Sequence, residues 1–326
     1  HPHAAIIDAA QSDAEVAIIT FGRHSSEGFD RHIERDFLLR PTEEILLTAV
    51  SREFHKVGKK VIVVLNISSP VEIASWRDKA DAILVCWMPG QEGGNSVADV
   101  LLGRVSPTGH LPISFPISYD DVRSASNFPR NVAETGLNQS RYNLPSAGKT
   151  YDIKNIDYTN YEEDIYVGYR DYATRNIEVA YPFGYGLTYS QFEMSDMKVE
   201  ESKSDYKVSC VVKNIGNTPA KQVVQLYSTE LNPEVDRPAI ELRGYKKTPL
   251  LKAGESTVVE IAIAKEDLMT YNEVINGWKL TKGDYDLSLG FDSQTRPLKQ
   301  RVTITKEIVK PLSTAMMPAS GKIFIK

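Results

Sequence analysis

Lys60-Val61-Ile62-Val63-Val64-Leu65 holds five consecutive apolar residues, four of them β-branched. A run this short, apolar at every position, is the pattern of a strand buried on both faces in a parallel sheet. Upstream, Val16 to Phe21 is a second short apolar run, and a polar loop, Gly22 to Arg40, follows it. A helix is expected to open near Pro41-Thr42-Glu43-Glu44, with Leu46, Ala49, Val50, Phe54 and Val57 at helical spacing and Gly58 closing it. Downstream, Ser69-Pro70 reads as the start of another helix. The strand Ala82 to Trp87, the glycine-rich turn Pro89 to Gly94, the helix Ser96 to Leu102 and a terminating Gly103 come next. The alternation predicts an α/β sandwich with a mostly parallel sheet and helices on both sides. The sheet reads as incomplete: three central strands and a fourth at Leu111 to Phe115 are visible, where such sheets generally have about five or six. Residues 1 to 15 supply no strand, so the chain is expected to start mid-domain, with the missing edge contributed from upstream.

Residues 117 to 165, rich in Asn, Ser, Tyr and Asp, read as an ordered surface excursion. From Glu193 the period changes to two, in the runs Met194 to Val199, Lys207 to Lys213, Gln222 to Tyr227, Ile240 to Tyr245, Thr257 to Ile263, Trp278 to Leu280, Tyr285 to Leu289 and Arg301 to Thr305. About seven short strands in roughly 110 residues, with turn signals between them, predict an all-β immunoglobulin-like sandwich. No cysteine pair joins its sheets, which points to the fibronectin type III variety. The expected organisation is therefore 1–160 α/β domain, 161–192 aromatic-rich connector, 193–309 fibronectin type III-like domain and 310–326 tail.

Composition narrows the function. The 38 basic and 43 acidic residues are interspersed, leave a net charge of −5 and form no basic run of the kind that tracks phosphates, which argues against a nucleic-acid partner. No apolar stretch approaches the roughly 20 residues that cross a bilayer. The two cysteines, Cys86 and Cys210, lie in separate predicted domains and read as buried thiols. The histidines are scattered and suggest no closed metal site, and no cofactor is implied. Low cysteine content leaves the compartment open.

The densest cluster of reactive side chains is GRHSSEGFDR at 22–31, directly after the first strand. Loops at the carboxyl ends of strands line the ligand crevice of open α/β sheets. Glu27 is the candidate catalytic carboxylate there. Ser26 and Gly28 let the backbone approach a ligand, and Arg23, Asp30 and Arg31 are candidates for binding substrate or shaping the local field. From composition alone, an ordinary solvated loop with surface ion pairs is the competing reading. Glu92 in the turn PGQEGG is a weaker second acid, better suited to packing and capping. Glu162, Glu163 and Asp164 read as a solvated face, and the tyrosines at 166, 169, 172, 181, 185 and 189 as domain-interface core rather than a sugar-stacking surface.

The loop resembles the GR-S-GEG-DR type motif of glycoside hydrolase family three. GKKVIVVLNISSPVEIASW at 58–76, PGQEGGNSVADVLLGRVSPTGHLPISFP at 89–116, EEDIYVGYRDY at 162–172 and YPFGYGLTYSQF at 181–192 are similar to the same family. VVKNIGNTPAKQVVQLY at 211–227 and NGWKLTKGDYDLSLGFDS at 276–293 are similar to its fibronectin-like domain. The resemblance implies an enzyme of three domains, a (β/α)8 barrel, an α/β sandwich and a fibronectin-like domain, of which this chain is the C-terminal part. It implies that the general acid/base falls on Glu27, while the aspartate nucleophile belongs to an SDW-like barrel motif absent from these residues. Ser26 departs from the family, where glycine often stands. Retaining hydrolysis needs two carboxyl groups about 5–5.5 Å apart, so a chain carrying one of them is expected to be silent alone. The implied activity is an exo-acting β-glucosidase acting on β-linked gluco-oligosaccharides, with the barrel on a separate chain or a lost segment. A β-xylosidase or related glycosidase of the family, or a non-catalytic carbohydrate-binding or structural fragment, are the alternatives, and a homodimer stays open.

Overall fold

A computed structural model describes residues 4–25, 27, 31–126 and 161–312. Most of the expected excursion and the tail beyond 312 lie outside the described residues. The chain packs as two units, one made of residues 1–104, 115–161 and 178–180, the other of 105–114, 162–177 and 181–326.

In the first unit, α1 (Ala4–Asp13) leads into β1 (Val16–Gly22), which pairs in parallel with β2 (Lys60–Asn66), and β2 pairs in parallel with β3 (Ala82–Val85). Val61, Val63, Val64 and Leu65 are all buried, as a strand covered on both faces requires. Between β1 and β2 runs α2 (Pro41–Lys56), with proline at its first position and Gly58 at φ +74° just past its end. There the Lys59 N–H reaches back to the Phe54 carbonyl at 2.9 Å, so the left-handed glycine lets the chain reverse while satisfying an orphan acceptor.

Four expectations are corrected. The buried stripe of α2 is Leu47, Val50, Ser51 and Phe54, whereas Leu46 and Val57 are exposed; the apolar periodicity was compatible with either register, and packing on β1 and β2 selected this one. No α-helix starts at Ser69-Pro70. The segment makes only a single 3₁₀ turn at Arg77–Lys79, because Glu72 spends its carboxylate on the Ser75 N–H at 2.7 Å and the Ser75 hydroxyl at 2.6 Å, while the Trp76 indole donates to the Glu72 carbonyl. Leu111 to Phe115 is not a fourth parallel strand: Leu111 exchanges backbone hydrogen bonds with Gly184 and Tyr185. Only β4 (Phe115–Pro116) is extended, in a separate two-stranded sheet with β5 (Val179–Tyr181). Finally, Cys86 is half-buried, its thiol donating to the Leu65 carbonyl at 3.1 Å, and only Cys210 is fully buried; both are free. The helix α3 (Gly93–Leu101) starts three residues earlier than expected and stops before Gly103 at φ +69°.

The second unit is antiparallel, as its period-two sequence requires. One sheet has the order β10-β7-β6, from β6 (Phe192–Glu201), β7 (Asp205–Asn214) and β10 (Ser256–Ala264). The other has the order β14-β13-β8-β9, from β8 (Val223–Glu230), β9 (Glu241–Lys247), β13 (Gly283–Gly290) and β14 (Leu298–Ile304). Tyr206, Val208, Cys210 and Val212 of β7 interleave with Leu226 of β8, Ile261 of β10 and Leu287 of β13 in a single core. A small third sheet joins β11 (Thr270–Asn272), β12 (Gly277–Leu280) and β15 (Ile308–Pro311). The segment expected as a plain connector contains α4 (Tyr169–Arg175), and Tyr169 stacks on Phe183 at 4.7 Å and meets the ring of Tyr227 edge-on at 6.0 Å. That cover explains why β8 is buried on both faces, Gln225 and Tyr227 included.

Candidate active site

The parallel register carries β1 to Gly22, opposite Asn66 at the end of β2, and the Arg23 N–H extends the pairing by one bond to the Asn66 carbonyl at 2.9 Å. The loop that follows thus leaves the carboxyl end of the sheet, where ligand crevices of such sheets form. Glu27 lies on this loop, exposed, with no hydrogen bond or ion pair to any described residue. Ser26 and Asp30, the other candidates, lie outside the described residues.

Arg23 is buried at 4% exposure, and its guanidinium is fully engaged. It grips Glu43 with two bonds of 2.9 and 2.7 Å, the planar fork-to-fork geometry particular to arginine, and donates to the carbonyls of Gly22, Leu38 and Asp36 at 2.8, 3.1 and 3.2 Å. Glu43 stands in the first turn of α2, where its Oε2 also accepts from the Arg40 N–H at 2.9 Å. Burial pushes the Glu43 carboxyl up, but the hydrogen bonds from Arg23 and the Arg40 backbone, with both positive charges, outweigh it and hold the group below its ordinary value.

Arg31 closes the other end of the loop. It donates to the Pro70 carbonyl at 3.0 Å and, like Arg23, to the Asp36 carbonyl. Burial lowers its affinity for the proton; Asp36 opposes that and Arg23 adds to it. Asp36 belongs to a single π-helical turn, Ile33–Phe37, anchored by the buried Phe37, and its carboxylate accepts from the His32 N–H at 2.9 Å. The Ser68 hydroxyl donates to the His24 carbonyl at 3.0 Å, tying the loop to the one that leaves β2.

The structure therefore brings Arg23, Glu27 and Arg31 onto one loop, with the two arginines directed at backbone and Glu43. The sequence reading missed Glu43 and the Asp36 carbonyl. Glu43 appeared only as a helix-start acid, and a carbonyl carries no residue signature at all. Elsewhere, Glu92 is exposed and accepts from the Asn95 amide at 2.6 Å, within the turn it helps to shape. Among the described residues no three His, Cys, Asp or Glu side chains gather as a metal site.

Residues 3–189 match the family model described as the glycosyl hydrolase family 3 C-terminal domain, and residues 222–293 match a fibronectin type III-like domain. The chain belongs to glycosyl hydrolase family 3. Among its relatives is thermostable β-glucosidase B of Acetivibrio thermocellus, 33% identical over 92% of this chain and 36% of that protein. An exo-α-(1→6)-L-arabinopyranosidase of Bifidobacterium breve is 32% identical over 90% of this chain and 35% of its own length. The solved structure of β-glucosidase 3B from Thermotoga neapolitana with α-D-glucose superposes with a TM-score of 0.84 at 40% identity, over 95% of this chain and 40% of that one. The family 3 chain thus spans well under half the length of these relatives, and it corresponds to their C-terminal α/β and fibronectin-like parts.

Proposed function

We propose that this chain is part of a retaining, exo-acting β-glucosidase and supplies its general acid/base, Glu27, to a site completed by a (β/α)8 barrel outside these residues. The observation that carries the reading is an exposed Glu27, without a hydrogen bond or ion pair among the described residues, on a loop whose ends are locked at the carboxyl edge of a parallel sheet. A carboxyl group so placed is free to meet a partner domain, while the two ends of its loop are held. In the first half-reaction Glu27 gives its proton to the glycosidic oxygen as the barrel's aspartate attacks the anomeric carbon. In the second, the same group takes a proton from the water that releases the sugar. Arg23 and Arg31 shape the loop and leave sugar contacts to other groups; Ser26 and Asp30 are proposed to line the same loop. The substrate is a β-linked gluco-oligosaccharide, and the similarity to an arabinopyranosidase supports a second reading, a related glycosidase with another terminal sugar.

Glu27→Ala in the barrel-containing enzyme tests this. Hydrolysis of cellobiose is expected to fall about 10²–10⁴-fold, the range of a lost general acid, and azide is expected to restore turnover of an activated aryl glucoside as glycosyl azide. Wild-type rates on both substrates would show that Glu27 is not the acid/base. The isolated chain is expected to hydrolyse neither.

A further inference from the structure

The two arginines of the acid loop, eight residues apart, end on one atom. Arg23 Nε and an Arg31 guanidinium nitrogen both donate to the Asp36 carbonyl, and the rest of the Arg23 fork is held by Glu43. From this convergence we infer that Glu43 is a positioning residue for Glu27: it sets the Arg23 guanidinium, through which the neck of the loop, at Arg23 and Arg31, is closed on the π-helical turn and the range open to the carboxylate is narrowed. The inference rests on the acid/base reading above and adds to it a residue that lies outside the loop motif, sixteen positions along the chain on α2.

The physical case is one of degrees of freedom. A loop carrying a reactive group has to hold it within a fraction of an ångström, and a displacement of about 1 Å costs on the order of 10²-fold in rate. Surface ion pairs cannot do this, because each long side chain keeps its rotamer freedom. Here the Arg23 side chain is 1% exposed and every one of its nitrogen atoms is committed. Glu43 is committed as well, with one oxygen shared between Arg23 and the Arg40 N–H of the helix start. The position of α2, packed on the sheet, is thereby transmitted to the loop.

The test is a double-mutant cycle in the barrel-containing enzyme, with Glu43→Gln made in the wild-type and Glu27→Ala backgrounds. The readout is kcat/KM, which reports the first, glycosylation step. In the wild-type background Glu43→Gln is expected to lower kcat/KM for cellobiose at least ten-fold more than for a dinitrophenyl glucoside, whose leaving group needs little acid assistance. In the Glu27→Ala background the same change is expected to cost less than about three-fold, because no acid remains to be positioned. Equal losses in the two backgrounds, or on the two substrates, would make Glu43 a scaffold residue and overturn the inference. Should Glu43→Gln fail to fold, Arg23→Lys takes its place in the cycle, since lysine keeps the charge but has no fork to span Glu43 and the Asp36 and Leu38 carbonyls. If Glu27→Ala itself leaves cellobiose hydrolysis unchanged, the acid/base reading falls and positioning falls with it. If Glu27→Ala is costly but additive with Glu43→Gln, only positioning falls.

Discussion

Asn214 has no solvent exposure, and its amide meets four partners. The oxygen accepts from the Ser190 hydroxyl at 2.6 Å and the Gly216 N–H at 3.0 Å, and the nitrogen donates to the Thr218 and Leu251 carbonyls at 2.9 Å each. Removing the side chain strips the Ser190 hydroxyl and the Gly216 N–H of their acceptor and the Thr218 carbonyl of a donor, so Asn214→Ala is expected to cost about 2–4 kcal/mol, measured by urea denaturation. A loss under about 0.5 kcal/mol would mean that water replaces the amide without penalty. Nothing local in Asn214-Ile215-Gly216-Asn217 marks this residue out, because two of its partners lie 24 and 37 positions away. Arg23 has the same history. Its type suggested a charge near a substrate, and only the fold showed that the guanidinium is spent on Glu43, 20 positions on, and on three carbonyls.

At the scale of elements, the turn Pro182 to Tyr185 shows how a short segment depends on a distant strand. Gly184 has φ +83°, a left-handed conformation that costs little only for glycine, and a Cβ there would lie 2.2 Å from the Gln225 amide oxygen. The Gln225 side chain has no room to yield, since its nitrogen donates to the Gly184 carbonyl at 3.1 Å and the Phe291 carbonyl at 2.7 Å while its oxygen accepts from the Tyr227 hydroxyl. Gly184→Ala is therefore expected to destabilise the second unit by at least about 2 kcal/mol, combining backbone strain with a steric clash. Differential scanning calorimetry reads this as a lowered Tm, and an unchanged Tm would show that the turn relaxes. Strands were the elements most legible beforehand: each of the eight runs from Met194 to Thr305 overlaps an observed strand, because a period of two is local information. The short strands β11 and β15 and the helix α4 were not read, since four residues or fewer, or an aromatic-rich single turn or two, carry too few repeats to show a period.

For the molecule as a whole, buried and paired carboxylates set the response to acid. Asp81 is held low by the Lys60 ammonium, the Val61 N–H and His55. For Glu43, Glu241 and Asp286 burial acts upward, but Arg23 with the Arg40 N–H, Arg243 with Arg237, and Arg301 with Lys299 outweigh it. In the unfolded chain these groups return to ordinary values of about 3.9–4.3. Their stabilisation is complete above that range and is lost as pH falls through the lower folded values, where the unfolded state binds more protons. Circular dichroism from pH 7 to pH 2 is expected to show unfolding that sets in below about pH 4, and Asp81→Asn is expected to flatten the acid limb. Full ellipticity retained at pH 2 would contradict this. Both units contain such pairs, Asp81 and Glu43 in the first, Glu241 and Asp286 in the second. By itself the sequence determined the parallel α/β and antiparallel β character of the two regions, the place of the Glu27 loop after β1 and the family resemblance, because alternation, apolar runs and contiguous motifs are all local. Tertiary structure alone decided which stripe of α2 faces the sheet, that Leu111 pairs with the 184–185 turn, that β8 is covered on both faces, and that Arg23 and Arg31 converge on Asp36. Each of those outcomes depends on a partner distant in the chain, and burial free energy chooses among registers that the sequence leaves equivalent.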